Sequence, residues 1–411
     1  MPETLFLSHR IPFPPDRGDK IRSHHILKRL AARGSVHVAT FADDDADFDE
    51  EAELAIAAHS YRLVRRSTRL FVAGIKSLLR GEPVSLPAFY SEELARYVLD
   101  TLAGHPIGTI YVFSGQMGQY VPEDFAGRVI VDFVDVDSVK FEAYAWQNRG
   151  IERWIHAREA RLLRREEARL AARAHTSLLI SAQEAALFAA RLPAVQRMVS
   201  DIRVVGNGID CQFFDPAEVT PEASLAGLPG PRLIFTGQMD YSPNIAAALR
   251  LATRILPLVQ RELPEASCHI VGRNPDADLL ALDGKHGCRV WGRVEDIRSW
   301  LAAATQAVVP LEIARGVQNK VLEAMAMGLP VVLTSGAANG IAASDGRDFA
   351  IADSDEDIAA RIVALHRDPV VAAAMRAAAR KFVVEQQSWP AALAPLDTLL
   401  GAPGASVRHA A

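Results

Sequence analysis

The chain has 411 residues, more than one hydrophobic core usually supports, so two domains are expected. Its hydrophobic share of 49% and charged share of 23% are those of a soluble globular protein, and a formal net charge of −5 argues against a generally basic nucleic-acid binder. Three widely spaced cysteines, Cys211, Cys268 and Cys288, give neither a disulfide framework nor a metal-ligand spacing, and a reducing cytoplasm is their simplest setting.

Residues 4–8 read as a short apolar strand, followed by a Pro-rich loop over 10–20 and a helix from Ile21 to about Ala32. The first ten residues lack the basic start and long apolar core of a signal peptide. Strand-length apolar runs recur at 36–41, 107–113, 129–133, 178–181 and 202–205, with helical stretches between them. One of these spans 91–102, and another, from Trp146 to about Ala174, reads as one long helix or a helix pair. Residues 206–210 mark a turn. The stretch from Asp215 to Pro231 is rich in Pro, Gly and Glu and reads as a linker.

A second series begins at Arg232. Strands are expected at 233–236, 267–271, 290–292, 307–310 and 331–334, each separated by a helix, one of them over 245–260. Such alternation means parallel sheets covered on both faces. The expectation is an α/β protein of two doubly wound domains facing a central cleft. The first would span 1–205, the linker 206–230 and the second 231–385. A C-terminal helix and tail, 386–411, would pack back on the first domain. No apolar run approaches the roughly 18 residues needed to span a bilayer.

The most informative stretch runs from Val308 to Val332. It reads as strand, loop with Gly316, helix, glycine stop at Gly328, and strand. Lys320 and Glu323 stand three apart in the first turns, on one helix face. A helix N-terminus offers free N–H groups and partial positive charge to a phosphate, the lysine adds a full charge, and a carboxylate one turn on can accept from a ribose diol. Gln318 and Asn319 open that helix. This is the layout of a sugar-nucleotide site.

In the first half, Gly18 lies in a strand–helix loop with Asp16, Arg17, Asp19 and Lys20, where a glycine lets backbone N–H groups approach a phosphate. Asp132, Asp135 and Asp137 end a strand. They read as a helix N-cap at Asp137 or Ser138, as an acceptor site with Asp135 as the catalytic candidate, or as a metal site. His9 at a strand end is a weaker candidate for the acceptor. Residues 61–80 hold six basic and no acidic residues, interleaved with apolar ones. Such a segment suits either an anionic membrane surface or a solvated face over the sheet.

The run from Lys320 to Val332 resembles the nucleotide-binding signature of glycosyltransferase family 4, retaining enzymes of the two-Rossmann GT-B architecture. Residues 204–210 with Phe213 and Pro216 resemble that family's interdomain segment, and residues 234–239 its opening donor-domain strand and turn. Residues 7–10 and 14–22, with 314–320, narrow the likeness to sugar transferases of bacterial exopolysaccharide and PEP-CTERM/exosortase systems. The resemblance implies a nucleotide-sugar donor as co-substrate, no metal or other cofactor, and a glycan or polyprenyl-linked acceptor.

Two departures stand out. The family's pair of glutamates is eight apart; Glu323 matches the second, but the first falls on Arg315, with Glu312 three residues too early. A guanidinium cannot accept a sugar's hydrogen bonds, though it can pair with a diphosphate. The family's cations after the first donor-domain glycine are also replaced, by Gln238 and residues 240–244. Beyond Gly237 itself, neutralisation of the diphosphate is therefore assigned to Lys320, Arg315 and Arg293, with Arg273 a weaker candidate. The alternatives are a non-catalytic nucleotide-binding partner in polysaccharide assembly and a sugar-nucleotide epimerase.

Overall fold

A computed structural model describes residues 3–312 and 317–401. The chain divides into two compact units, Met1–Asn207 with Leu393–Ala411, and Gly208–Ala392. Arg315 and Gly316 fall outside the described residues, as does the end of the tail.

The first unit is built on β1 (Glu3–Ser8), β2 (Val36–Ala42), β3 (Ser60–Arg65), β4 (Ile107–Phe113), β5 (Arg128–Val134), β6 (Thr176–Leu179) and β7 (Ile202–Val204). They form one sheet in the order β3-β2-β1-β4-β5-β6-β7, and each recorded pairing is parallel. The second holds β8 (Arg232–Thr236), β9 (Ser267–Val271), β10 (Cys288–Gly292), β11 (Gln306–Val309), β12 (Val331–Leu333) and β13 (Ala350–Ile351), ordered β10-β9-β8-β11-β12-β13 and also parallel. Helices cover the sheets. Successive residues Leu5, Phe6 and Leu7 of β1 are all fully buried, as a strand covered on both faces requires. In each sheet the strand order reverses beside the first strand, between β1 and β4 and between β8 and β11. Ligands of doubly wound sheets bind at such switch points, outside the carboxyl ends of the strands.

Several elements differ from the sequence reading. The segment 61–80 is not one amphipathic piece. Its first residues form edge strand β3, and Arg62, Arg65 and Arg66 pair with Glu93, Asp45 and Asp43. Of the stretch read as one long helix or a helix pair from Trp146 to about Ala174, Gly150–Arg173 is one helix, while Trp146 and Gln147 end the preceding helix Asp137–Gln147, with Gly150 at φ 59° after the break. The stretch read as a linker carries the helix Ala223–Ala226, whose Leu225 is fully buried in the core of the second unit. The helix expected over 245–260 runs from Ser242 to Glu262 through a π turn at Leu251–Ile255. Pro257 supplies the cause, since it has no N–H to donate and its ring crowds the preceding turn. From the tail, Asp397 accepts from Arg29 and Arg33 of the first unit.

One buried ion pair organises the first unit. Arg22, 1% exposed, donates to Asp132 at 3.0 Å and to the carbonyls of Val205 and Gly206. Tyr111 donates to the same carboxylate at 2.9 Å. Asp132 is thereby committed to structure.

Candidate functional site

The helix Asn319–Ala326 follows β11 in the second unit. Gln318 precedes it in extended conformation, and its side chain makes no capping hydrogen bond to the first turn. Val321, Leu322, Ala324, Met325 and Ala326 are buried in the core, and Gly328 at φ 67° stops the helix in the left-handed region that favours glycine. With that face spent on the core, Lys320 and Glu323 border a cavity of about 510 Å³ at the strand ends. Gly237 after β8, Gly272 and Arg273 after β9, Arg293 after β10, and Asn319 border it too.

Two glycines make this geometry possible. A Cβ on Gly272 would lie 1.6 Å from the Gly237 carbonyl oxygen, so the turns after β8 and β9 touch backbone to backbone. A Cβ on Gly237 would meet Asn244 Nδ2 at 2.9 Å and Lys320 Nζ at 3.0 Å. The lysine therefore lies directly against the first turn. Its ammonium donates to Asn244 Oδ1 at 2.6 Å and sits 4.6 Å from the centre of the Phe235 ring. Asn244, 7% exposed, also donates to the Gln238 carbonyl, which fixes its amide.

Lys320 breaks an electrostatic rule. A cation in the first turn faces the positive end of the helix dipole, where anions are favoured. Burial lowers its pKa to about 8, against a smaller raising effect of Glu323. Burial likewise raises the Glu323 carboxyl, with Lys320 opposing. Among the described residues no carboxylate forms an ion pair with Lys320. Arg273 and Arg293 are exposed, and neither has an ion pair among the described residues. A desolvated lysine, a helix N-terminus and two unpaired guanidiniums beside one cavity form a receptor for a multiply charged anion. The carboxylate one turn deeper is an acceptor for hydroxyl groups.

The structure thus brings together Gly237, Arg293, Asn319, Lys320 and Glu323, with the weaker candidate Arg273 beside them. Gln318 stands at the helix start but does not border the cavity, and Arg315 and Gly316 lie outside the described residues. Glu312 is exposed, 3.8 Å from Arg254, and does not border the cavity. Sequence reasoning missed Asn244 and Gly272. The signal for the first was a Pro-Asn pair at a helix start, and for the second a glycine directly after an apolar strand.

Gly18 and Asp135 belong to the first unit. Gly18 opens the helix Gly18–Ala31 with nothing within 4 Å of where a Cβ would stand. The cations around it are occupied. Lys20 is buried against Asp47 and the Phe13 carbonyl, and Arg10 bridges Asp19 and Asp43. Burial alone would raise the Asp19 carboxyl, but hydrogen bonds with His9 and Arg10 hold it far below the usual range. His9, at the carboxyl end of β1, is 7% exposed, and its Nδ1 has no partner.

Asp132, Asp135 and Asp137 do not converge. Val134 adopts φ 67°, a costly conformation for a β-branched residue, and this turns the chain so that Asp135 is exposed. Asp135 borders a recess of about 20 Å³, room for one water. Although much of its surface is open, its carboxyl is raised by partial desolvation and by the charges of Glu184 and Asp137. The cap reading for Asp137 and Ser138 is corrected: Asp137 lies inside the helix, Val136 stands at its cap position and donates its N–H to Glu184, and the Ser138 N–H donates to Glu167.

Residues 230–368 match the family described as Glycosyl transferases group 1. These residues lie within the second unit. A curated relative, the GDP-mannose-dependent monoacylated alpha-(1-6)-phosphatidylinositol monomannoside mannosyltransferase of Corynebacterium glutamicum, is 31% identical over 44% of this chain and 51% of its own length. The match thus spans about half of that relative. Among solved structures, sucrose-phosphate synthase from Thermosynechococcus elongatus superposes with a TM-score of 0.61 at 16% identity, covering 97% of this chain and 98% of its own. Anabaena HepE in complex with UDP gives 0.59 at 14%, covering 97% and 99%, and its UDP-glucose complex gives 0.57 at 15% over the same shares. At these identities the likeness is one of fold, that of GT-B glycosyltransferases with two Rossmann-like domains.

Proposed function

We propose that the chain is a glycosyltransferase that binds a nucleoside-diphosphate sugar in the second unit and passes the sugar to an acceptor held by the first. The observation that carries this is Lys320, desolvated at a helix N-terminus with no carboxylate ion-pair partner among the described residues, beside a cavity at the switch point. The diphosphate lies against Lys320 and the first N–H groups of its helix, with Arg273 and Arg293 alongside. Glu323 accepts from the ribose hydroxyls. As the sugar–phosphate bond breaks, charge builds on the leaving diphosphate, and Lys320 stabilises it. The domain match, the UDP-glucose bound by HepE and the GDP-mannose used by the curated relative support a nucleotide-sugar donor.

Transfer proceeds with retention and without a metal ion, the cations and helix end taking the ion's place; the resemblance of residues 320–332 supports both points. Asp135 and Gly18 serve the acceptor side, where strained Val134 supports a functional role. The exopolysaccharide setting rests on the motifs at 7–22 and 314–320. No helix among the described residues is long and apolar enough to cross a membrane. The helix Leu70–Arg80 exposes Phe71, Leu78 and Leu79, and Arg158 of the helix Gly150–Arg173, which exposes Trp154, donates to Ser77. These apolar and aromatic residues fit the interface of a cytoplasmic membrane leaflet, where a lipid-linked acceptor is presented.

Calorimetry with UDP, GDP and ADP and their sugars tests the donor site, and transfer of labelled sugar to membrane-extract acceptors tests the activity. Failure of every nucleoside diphosphate to bind, or binding that survives loss of Lys320 unchanged, refutes the reading.

A further inference from the structure

At the opposite end of the first sheet, where its strands begin, a second cluster plays no part in this chemistry. Glu3 opens β1, His37 lies in β2, His59 immediately precedes β3, and His105 stands just before β4. One carboxylate oxygen of Glu3, one ring nitrogen of His37 and one of His105 all lie within 4.8 Å of one another. Glu3 Oε2 is 2.7 Å from His37 Nε2 and 3.2 Å from His105 Nδ1. The rings of His37 and His105 are 4.2 Å apart, and that of His59 lies 5.2 Å and 6.0 Å from them.

We propose that Glu3, His37 and His105 bind one divalent transition-metal ion of the zinc class. Imidazole nitrogen and carboxylate oxygen are the ligand types zinc takes at about 2.0–2.2 Å, which sets neighbouring ligand atoms about 3.3 Å apart in a tetrahedron. The two measured contacts need to open by well under 1 Å to reach that spacing. His59 or a water completes four ligands.

The support behind His37 is what distinguishes this cluster from a chance gathering of polar groups. His37 is fully buried, and its Nδ1 lies 2.7 Å from Ser60 Oγ. Ser60 Oγ lies 2.7 Å from the Tyr97 hydroxyl, which is hydrogen-bonded in turn to Thr101. Without an ion, Nε2–H donates to the Glu3 carboxylate; when an ion takes the place of that proton, the ring proton moves to Nδ1, where Ser60 Oγ is placed to accept it. Metal-ligating histidines are oriented in this way by the partner of their other nitrogen. The backbone holds the donors as firmly. Leu5 pairs with His37 in register, the Glu3 N–H donates to the Pro106 carbonyl, and the His59 N–H to the Val36 carbonyl. Glu3 and His105 keep 20% and 37% of their side-chain surface open, which gives the ion a way in. With its ligands at the starts of the adjoining strands β2, β1 and β4, the ion's role is to fasten the amino end of the sheet.

The test is a calorimetric titration of the untagged, chelator-treated full-length chain with Zn²⁺ alone, and with Co²⁺ to read tetrahedral coordination in its visible bands. One equivalent should bind. His105→Gln, at a partly exposed position where folding is retained, should weaken binding at least ~100-fold, and Ser60→Ala by about 10–100-fold through loss of orientation. Zinc should raise the unfolding temperature of the wild type and leave that of His105→Gln unchanged. Substoichiometric binding, or equal affinity in His105→Gln, overturns the assignment. Nucleoside-diphosphate binding, read on the same samples, is independent of either result, so this site and the donor site fail separately.

Discussion

Replacing Lys320 by methionine removes a charge that costs the folded protein stability and serves only a bound anion. Its pKa falls from 10.5 to about 8 through burial, so at neutral pH the ammonium costs roughly 2–3 kcal/mol once partial solvent access is allowed for. The hydrogen bond to Asn244 returns about 1 kcal/mol. Lys320→Met should therefore stabilise the second unit by about 1–2 kcal/mol, raising its unfolding temperature by roughly 2–8 °C. The same variant should bind nucleoside diphosphate at least ~10-fold more weakly and transfer sugar ~100-fold or more slowly. Differential scanning calorimetry and a radiolabel transfer assay on one preparation read both effects. The stability gain has a pH signature. Between about pH 8 and 10.5 the unfolded lysine holds a proton that the folded one has lost, so wild-type stability rises with pH and the gap to the variant closes; below pH 8 the gap is constant. A variant that is less stable, or that transfers sugar at a near-normal rate, refutes the reasoning.

The same lysine makes diphosphate affinity fall as pH rises past about 8, with the midpoint in the complex higher because the bound anion holds the proton; calorimetry across that range should show the fall in wild type and a flat profile in Lys320→Met. Gly272→Ala drives a Cβ into the Gly237 carbonyl and should cost about 1–3 kcal/mol and abolish nucleotide binding, whereas Gly18→Ala meets open space and should stay within about 0.5 kcal/mol; urea titration separates them, and an inert Gly272→Ala contradicts the contact. Arg22→Met leaves the buried Asp132 carboxylate without its cation, with the Tyr111 hydroxyl and the Val134 N–H as donors, and should cost about 3–5 kcal/mol of first-unit stability in the same assay. Phe71→Ser with Leu79→Ser should release the protein from anionic vesicles in co-sedimentation without changing diphosphate affinity; unchanged sedimentation removes the membrane role of that helix.

What the sequence disclosed followed from how local each signal was. The helix from Asn319 to Ala326 announces itself through the apolar side Val321, Leu322 and Met325 and the stop at Gly328, all within ten residues, and so Lys320 and Glu323 could be placed on its free face. Parallel strands were legible because runs such as residues 107–113 are apolar on both faces. Strand β3 was not, because at a sheet edge its Arg62 and Arg65 reach solvent and imitate a charged surface segment. Strand β13 has only two residues, too few for any period. Leu225 is buried by tertiary packing with no periodic neighbours to mark it. The lysine's amide partner, Asn244, is 76 positions away, a pairing only the closed sheet creates.

The contact between Gly237 and Gly272 has an evolutionary side. Of these two positions 35 apart, Gly272 cannot leave glycine whatever stands at 237, because any Cβ there strikes a backbone carbonyl, and a side chain at 237 would meet Asn244 and Lys320. Divergence in what this pocket accepts is thus channelled elsewhere, onto rim residues such as Arg273 and Arg293 whose side chains are exposed. A library meant to alter donor choice gains most by holding the two glycines fixed and varying that rim.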